Sequence, residues 1–574
     1  MSLLILYGSE TGTAQDIAES LRREANFRKL EARVMELDEF HLENFGSEQV
    51  VLFVVSTTGQ GEMPPNMRQF WKMLLKKSLP KTFLSNHHTA VLALGDSSYA
   101  RFNFAGKKLY RRLLQLGATM LTPIGLADDQ HEIGVDGAYI PWKTAVWNEI
   151  YKLSYFKEML AEPDTTIEIE PNYRFVDIGI CEDENGAQEY RHLSVNFNKR
   201  VTTDDHFQDT RLIRMNINAK VAEYFRYEAG DVLMVWPYNP EETVKIAIDA
   251  LGYTNEVLDR KINIMQNSPF VKPFPYYIIK DEPTLRTCLH RYFDLQQVPK
   301  RSFFEIMASW SDHIDEKEKL IELSSPEGLN TLLDYSPRCR RTMAETLRDF
   351  PNTAKKIAPE RLFELISMMR PRAFSIASAP NPEYIELLVA KVEYKSILSD
   401  KRRGLCSTYL SRLQLGDKVF CRVRKGTFKF PDADKPVICV GPGTGIAPFR
   451  SFLTQRNALT SERNSLLFFG CRKEKADYYF ADEWPKLAHV EYYVAFSRDS
   501  EKKVYVQDKI LEHRDRVAEL LSEGAYIFIA GSSGDMPKAV MGALDKIVAK
   551  LVKTPHSCLA EAEASGRLQY ETWS

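Results

Sequence analysis

The chain has 574 residues, a formal net charge of −2 and 44% hydrophobic residues. That length suggests roughly three or four domains, and the near-neutral balance gives no reason to expect a nucleic-acid partner. The eight cysteines, at 181, 288, 339, 406, 421, 439, 471 and 558, form no CxxC or other metal-ligand spacing. That argues against a zinc or iron–sulfur site and fits reduced thiols in a cytosol-like compartment. No apolar run approaches the ~18 residues of a spanning helix, and no basic segment followed by an apolar core opens the chain. The first strand starts at Ser2. A cytoplasmic protein with no membrane anchor ahead of its first domain is therefore expected.

In chain order, Leu3 to Tyr7 reads as a short buried strand. It runs into Gly8-Ser9-Glu10-Thr11-Gly12-Thr13, after which Ala14, Ile17, Ala18, Leu21 and Ala25 recur at helical spacing. A strand, a Ser/Thr/Gly loop and a helix N-terminus together make an anion site. With no cation in the loop, neutral donors would bind a single phosphate. Val50 to Val55 is a second strand, ending in Ser56-Thr57-Thr58-Gly59-Gln60-Gly61-Glu62. Ala90 to Leu94 is a third, ending in Gly95-Asp96-Ser97-Ser98-Tyr99 and then Phe102-Asn103. Three strands with polar, Gly-containing loops and helices between them predict a parallel doubly wound sheet, its ligand at the carboxyl ends. Acidic residues gather near that edge: Glu36, Asp38, Glu39, Glu62, Asp128, Asp129 and Glu132. A solvated face is the simple explanation; a docking surface for a basic partner is the other.

The stretch from Ala161 to Pro171 has two prolines and four acidic residues, and reads as an exposed linker about which the first module could move. The linker is bounded at 151–191. From 192 the pattern is β-like, and it resumes at 373 after a helix-rich insertion at about 240–365. Pro371 to Ser378 reads PRAFSIAS. Arg372 supplies a planar cation suited to a diphosphate, Phe374 an aromatic face and Ser375 a hydroxyl. Gly404-Leu405-Cys406-Ser407 opens a short helix, again suited to a phosphate.

From 433 a strand at Pro436 to Val440 leads into Gly441-Pro442-Gly443-Thr444-Gly445-Ile446-Ala447-Pro448 and a helix. The loop lacks the third glycine of GxGxxG, because Pro448 stands there. After the strand Val490 to Phe496 come Ser497-Arg498, then Lys503, Tyr505 and Gln507. Two cations and two hydroxyls at one strand end suit the 2′-phosphate of NADP rather than the bare ribose of NAD. The chain ends Tyr570-Glu571-Thr572-Trp573-Ser574. Terminal segments usually fray, so a Trp this near the carboxyl end asks for a partner.

These strings resemble the diflavin reductase family over nearly the whole chain. The resemblance implies three folds in order. A flavodoxin-like FMN domain occupies 1–150. An antiparallel FAD-binding β-barrel with a helical insertion occupies 192–432, and a ferredoxin–NADP reductase-type α/β domain for NADPH occupies 433–574. It implies that Ser9, Glu10, Thr11, Gly12, Thr13 and Ala14 hold the FMN phosphate. Ser56, Thr57, Thr58, Gly59 and the stretch Leu94, Gly95, Asp96, Ser97, Ser98, Tyr99, Phe102 and Asn103 would flank its ring, with Tyr99 stacking. Asp129 is favoured on the ribityl side, with Asp128 left open beside it. For FAD it implies Arg372, Ala373, Phe374 and Ser375, the clamp Gly404, Leu405, Cys406 and Ser407, and Arg340 from the insertion. For NADPH it implies Gly443, Thr444, Gly445, Ser497, Arg498, Lys503, Tyr505 and Gln507.

Trp573 would cover the FAD ring until the nicotinamide displaces it, and Ser375 with Glu571 would assist hydride transfer. Electrons would pass from NADPH to FAD, to FMN and to a one-electron acceptor protein. The chain departs from many relatives at Thr58 (often aromatic), Phe374 (Tyr), Ala530 (Cys) and Glu571 (Asp). Within the family it is most similar to the NADPH-dependent diflavin oxidoreductases of cytosolic iron–sulfur protein assembly. That implies the iron–sulfur protein anamorsin as partner. The sulfite reductase flavoprotein, methionine synthase reductase and monooxygenase reductases are alternatives within the family. A non-catalytic flavin-binding scaffold or redox sensor is the alternative from another class.

Overall fold

The computed structural model describes residues 2–59, 61–99, 101–154, 156, 161–164, 169–176, 189–459, 464–550 and 559–573. Much of the expected linker lies outside these residues, as do Cys181 and Cys558. Two compact units divide the chain: Met1–Glu182 with Glu241–Met368, and Asp183–Pro240 with Met369–Ser574. Among the described residues no helix is long and apolar enough to cross a membrane.

In the first unit, strands β1 (Leu3–Gly8), β2 (Ala32–Glu36), β3 (Val50–Ser56), β4 (His88–Gly95), β5 (Thr119–Met120) and β6 (Gly125–Asp128) make one parallel sheet. Its order is β2-β1-β3-β4-β5, with β6 also on β4. Continuous apolar strands are what a sheet covered on both faces requires. Alternate residues of β1 and β3 serve opposite cores. Leu3, Ile5, Val50 and Leu52 pack with helices α1 (Thr13–Phe27) and, later in the chain, Asp136–Ile150. Leu4, Leu6, Val51 and Phe53 pack with α2 (Arg68–Leu74) and α3 (Phe104–Gln115). Strand order reverses between β1 and β3, so their carboxyl ends flank the crevice where such sheets bind ligands.

Much of the rest of this unit is helical, including Glu241–Leu251, Arg301–Trp310, Ile314–Ser324 and Met343–Asp349. One part of the expected linker is corrected here. Tyr173–Val176 is a strand, paired antiparallel with Asn263–Gln266. The rings of Tyr173 and Phe175 sit 5.3 and 6.1 Å from Phe363, a partner nearly two hundred residues on that local composition could not reveal. Asn172 is held from both sides, by Arg22 at 2.9 Å and by Glu364 at 2.8 Å. The acidic edge of the sheet is also partly spent within the unit. Lys272 pairs with Glu36 at 3.1 Å and Glu39 at 2.7 Å, and Asp38 accepts from the Phe70 amide at 2.8 Å. Ser302 Oγ donates to Asp16 at 2.7 Å, and Arg301 to Asp136 at 3.4 Å.

The second unit holds two sheets. Strands β7 (Arg191–Arg200), β8 (Thr210–Asn216), β9 (Val232–Val235), β10 (Arg372–Ser375), β11 (Tyr384–Ala390) and β12 (Lys418–Arg424) pair antiparallel in the order β10-β9-β12-β7-β8-β11. A bridge between Ile376 and Leu387 joins the two edges, closing a barrel around Leu193, Val195, Ile213, Leu233, Leu387 and Val419. Strands β13 (Val437–Pro442), β14 (Ser465–Cys471), β15 (Val490–Phe496), β16 (Tyr526–Ser532) and β17 (Leu568–Trp573) form a parallel sheet, order β15-β14-β13-β16-β17.

Barrel and sheet are joined by a partly buried arginine. Arg450, on the helix after the 441–448 loop, reaches Glu386 of β11 at 2.6 Å, the Ala377 carbonyl at 3.0 Å and Glu483 at 2.7 and 2.9 Å. Glu386 is 1% exposed and, among the described residues, has one other cation, Arg214 at 2.7 Å. Replacing Arg450 by Ala strips a buried carboxylate of half its compensation. A loss of about 3 kcal/mol is expected in denaturant unfolding of this unit. A loss under about 0.5 kcal/mol, the usual size at an exposed site, would show the pair to be ornamental.

Candidate active site at the strand ends

The first strand-end site is built from loops that satisfy themselves before offering anything to a ligand. Gly12 sits at φ 99°, a left-handed turn just ahead of α1, and its amide donates to Ser9 Oγ at 2.9 Å. The Ser9 amide donates to Asn66 Oδ1 at 2.9 Å. Asn66 was missed by the sequence reading, although a polar residue after Pro64-Pro65 was a signal. Glu10 and Thr11 are exposed, Thr13 is half-buried, and Ala14 is buried in the core and can offer only its amide. Ser56 Oγ ties β3 to the Gly8 carbonyl at 3.1 Å, and Thr57 Oγ1 accepts from Ala105 at 3.2 Å. Thr58 and Gly59 (φ 49°) form a turn closed by Glu62.

After β4, Leu94 is buried and Tyr99 is exposed. Asp96 accepts from the Ser98 amide at 2.8 Å. Phe102 lies under the Lys107 ammonium at 5.1 Å. Asn103 differs from expectation: its side chain is fully buried, donating to the Ala127 carbonyl at 3.1 Å. It braces the loop against β6. The two neighbouring aspartates are distinct. Asp128 accepts from the Ser97 and Gln130 amides at 2.9 and 3.0 Å, and these bonds hold its carboxyl below the usual range against its desolvation. Asp129 is raised, by the protein packed round it first and then by Asp96 and Asp128; Arg340 pulls the other way. Arg340, expected at the FAD, thus acts on the loop of the first site, and does so from a left-handed backbone position (φ 55°).

In the second unit the register of β10 sets the next site. Ser375 pairs with Val232, which pairs in turn with Arg424, so these three stand in one row across the barrel. Phe374 packs against the barrel core and Ala373 is exposed. Arg372 is bonded to the Arg370 carbonyl, and its charge also acts on Cys406, in the first turn of the helix Leu405–Arg412. Burial pushes the Cys406 thiol up to about 12 while Arg372 opposes it. A guanidinium and a helix N-terminus therefore converge, as a diphosphate requires. The side chains of Leu405, Cys406 and Ser407 are buried; Ser407 Oγ accepts from Val392 at 3.1 Å and donates to Gly404. From this turn a ligand can draw on backbone amides.

The third site lies where strand order reverses, at β13 and β16. Gly443 has φ 59°. Gly445 is required by proximity: a Cβ there would lie 2.7 Å from the Ala530 carbonyl carbon and 3.1 Å from Gly531 Cα. Thr444 between them is half-buried. At the end of β15 the Ser497 amide donates to Cys471, and the Arg498 amide to Arg472 at 2.8 Å. Lys503 and Tyr505 are exposed, and Gln507 lies in the first turn of the helix Val506–Glu512.

The last two sites meet through the chain terminus. It does not fray: β17 pairs with β16, setting Glu571 beside Ala530 and Trp573 beside Ser532, and the Trp573 carbonyl accepts from Ser533 at 2.9 Å. Ser375 Oγ donates to Glu571 Oε1 at 2.8 Å, across 196 residues of sequence. The other oxygen, Oε2, is buried with no hydrogen-bond partner among the described residues. Burial raises the Glu571 carboxyl above its usual range; the Ser375 hydrogen bond and the Arg424 charge oppose this. Arg424 was missed from sequence, where it reads as the solvated end of an alternating strand. A buried orphan oxygen, a hydroxyl and an indole 39% exposed fit a flat ring carrying hydrogen-bonding groups.

Comparison with known proteins agrees with this arrangement. Residues 5–142 match the Flavodoxin family, 187–409 the FAD binding domain and 439–541 the Oxidoreductase NAD-binding domain. The protein named NADPH-dependent diflavin oxidoreductase 1 in Danio rerio is 40% identical over 608 residues, covering 100% of this chain and 99% of its own. The mouse protein of that name is 40% identical over 604 residues, and the Arabidopsis thaliana one 34% over 625, each with 100% of this chain and 99% of its own covered. The chain belongs to the NADPH-dependent diflavin oxidoreductases, flavoproteins with modules for FMN, FAD and NADP.

Proposed function

We propose that this oxidoreductase delivers electrons from NADPH to the iron–sulfur protein anamorsin, in the cytosolic assembly of iron–sulfur proteins. When bound, NADPH, FAD and FMN would supply the chemistry that links a two-electron hydride donor to a one-electron acceptor. The chain's own residues bind, orient and hold protons. Arg372 and the first amides of the helix Leu405–Arg412 suit the FAD diphosphate; Gly443, Thr444 and Gly445 suit that of NADPH. Ser375 and Glu571 fix a hydroxyl and a carboxyl at one point, and this 2.8 Å contact is the observation that carries the reading. A carboxyl raised by burial keeps its proton to higher pH than an exposed one, beside a hydroxyl able to donate or accept. For the acceptor, support comes from RPRAFSIAS and from Ala530 in place of a cysteine, which mark the iron–sulfur branch of the family.

The test is anaerobic. NADPH is expected to bleach both flavins of the purified protein, and the reduced protein to reduce anamorsin faster than a haem-thiolate monooxygenase. Reduction of the monooxygenase alone would reject the acceptor; a colourless protein would reject the whole reading.

Trp573 gives a separate check. Its exposed indole ends the strand that carries Glu571. The Trp573→Ala protein is expected to use NADH about tenfold better relative to NADPH, because less binding energy is needed to displace a stacked ring. Unchanged selectivity would count against stacking.

A further inference from the structure

Three strands meet at the Ser375–Glu571 pair. β17 carries Glu571, β10 carries Ser375, and β12 ends at Arg424. The register decides which way the barrel side chains point. Phe374, Leu233 and Val423 form one row across β10, β9 and β12, and all three pack with the barrel core. Side chains alternate along a strand, so the next row, Ser375, Val232 and Arg424, faces outward. Paired residues on antiparallel strands lie about 4.5–5.5 Å apart, which puts Arg424 about 10 Å from Ser375 across Val232. An extended guanidinium covers that span.

The chain beyond β12 ties this row to β17. Gln569 accepts from the Lys429 amide at 2.8 Å and donates to the Lys429 carbonyl at 3.1 Å. Gln569 and Glu571 alternate with Tyr570, so they share the face of β17 turned to this segment. The neighbouring charges are engaged elsewhere or turned to solvent. Lys425 pairs with Glu228 at 2.7 Å and Asp231 at 3.3 Å. Ala530, beside Glu571 in the register, and Thr444 bring no charge, and Asp535 beyond β16 is exposed. Burial raises the Glu571 carboxyl, and the Ser375 hydrogen bond and then the Arg424 charge hold it down. Oε2 accepts no hydrogen bond among the described residues, so the ionised carboxylate has the Arg424 charge to set against its desolvation.

We infer that Arg424 is a positioning residue for flavin reduction, the counter-charge that keeps ionised Glu571 on Ser375. This rests on the proton-holding reading of Glu571 above. With a cation fixed across the Val232 row, the pair can lose its proton and regain it without the end of β17 opening. A guanidinium suits that task because it stays charged at every pH at which a carboxyl titrates.

The test uses full-length flavin-loaded protein and anaerobic bleaching by NADPH across pH. Flavin reduction should slow on the alkaline side, where Glu571 gives up its proton. Arg424→Gln is expected to move that limb up by about one pH unit, because a charge favouring the ionised form is gone. Above the limb the variant is then about tenfold faster than the wild type, a gain that loss of a merely structural arginine would not give. Arg424→Lys keeps the charge and should restore the wild-type limb. Lys425→Gln removes the neighbouring charge and should leave the limb in place. In Arg424→Gln/Glu571→Gln the alkaline gain should disappear, since the charge has nothing left to act on. A limb that stays put in Arg424→Gln, a lysine that behaves as glutamine does, an equal shift in Lys425→Gln or a gain that survives in the double variant would each overturn the assignment. Denaturant unfolding gives an arm that needs no nucleotide. The pH at which the stabilities of Glu571→Gln and its parent part should lie about one unit higher in the Arg424→Gln background. If Glu571→Gln bleaches at the wild-type rate, the proton-holding reading of Glu571 fails, and the unfolding arm decides the Arg424 contact by itself.

Discussion

Exchange of Glu571 for Gln is expected to slow flavin reduction by NADPH about a hundredfold, the usual contribution of a positioned proton-holding group. The amide keeps the shape and can still accept from Ser375, so geometry is conserved while the titratable proton is lost. Ser375→Ala acts in the opposite sense on titration. It removes a hydrogen bond that holds the carboxyl down, so the alkaline limb of the pH–rate profile should move to higher pH. In Glu571→Gln that limb should vanish. Anaerobic stopped-flow bleaching across pH reads both. A Glu571→Gln protein with wild-type rate and an unchanged alkaline limb would remove Glu571 from the reaction.

Stability should move the other way. The native pKa of Glu571 lies above the ordinary 4.5, so the folded state favours the protonated form. Its contribution to stability is full below the unfolded value and is lost as pH rises through the native value. Once the pH has risen past the native value, the wild type carries a desolvated carboxylate that Glu571→Gln lacks. Denaturant midpoints should favour the variant increasingly as pH rises above the ordinary 4.5. Gain in stability with loss of rate is the signature of a strained catalytic group, and a merely structural glutamate would not give both.

What was legible in the sequence followed from the range of the interaction responsible. Strand ends, phosphate loops and the three-module order are written in local runs, and the comparisons bear the modules out. Ser375 and Glu571 were singled out together by resemblance, since nothing local to either joins residues 196 positions apart. Interactions with no local signal were misread or missed. Tyr173 and Phe175 looked like linker because Phe363 supplies their partner ring. Glu36 and Glu39 looked available because Lys272 answers them from another module. The bracing of Asn103 against Ala127 was not legible, because it depends on how two strand ends meet. Arg450 gave no sign of joining Glu386 and Glu483, because an arginine on a helix reads as solvated until the facing elements are known.

Gly445→Ala is expected to raise the KM for NADPH about a hundredfold while leaving FMN and FAD content intact. The added methyl would fall on the backbone of Ala530 and Gly531, and backbone cannot rotate away as a side chain can. Nor can either strand retreat. β13 is hydrogen-bonded to β14 and β16, and β16 to β13 and β17, so the collision sits at the centre of a five-stranded sheet. The loop must lift instead, carrying its amides off the diphosphate. A displacement of about 1 Å at a positioning group costs on the order of a hundredfold. Overpacking adds about 1–3 kcal/mol against this unit's stability. Gly443→Ala is the control. There φ is 59° but nothing lies within 4 Å of a new Cβ. Only the left-handed backbone penalty of about 1–2 kcal/mol applies, with a rise in KM of about tenfold. Both variants should bleach normally with dithionite, which needs no nicotinamide site. Equal effects at 443 and 445 would mean that backbone conformation, and not the contact with Ala530, explains why glycine stands at 445.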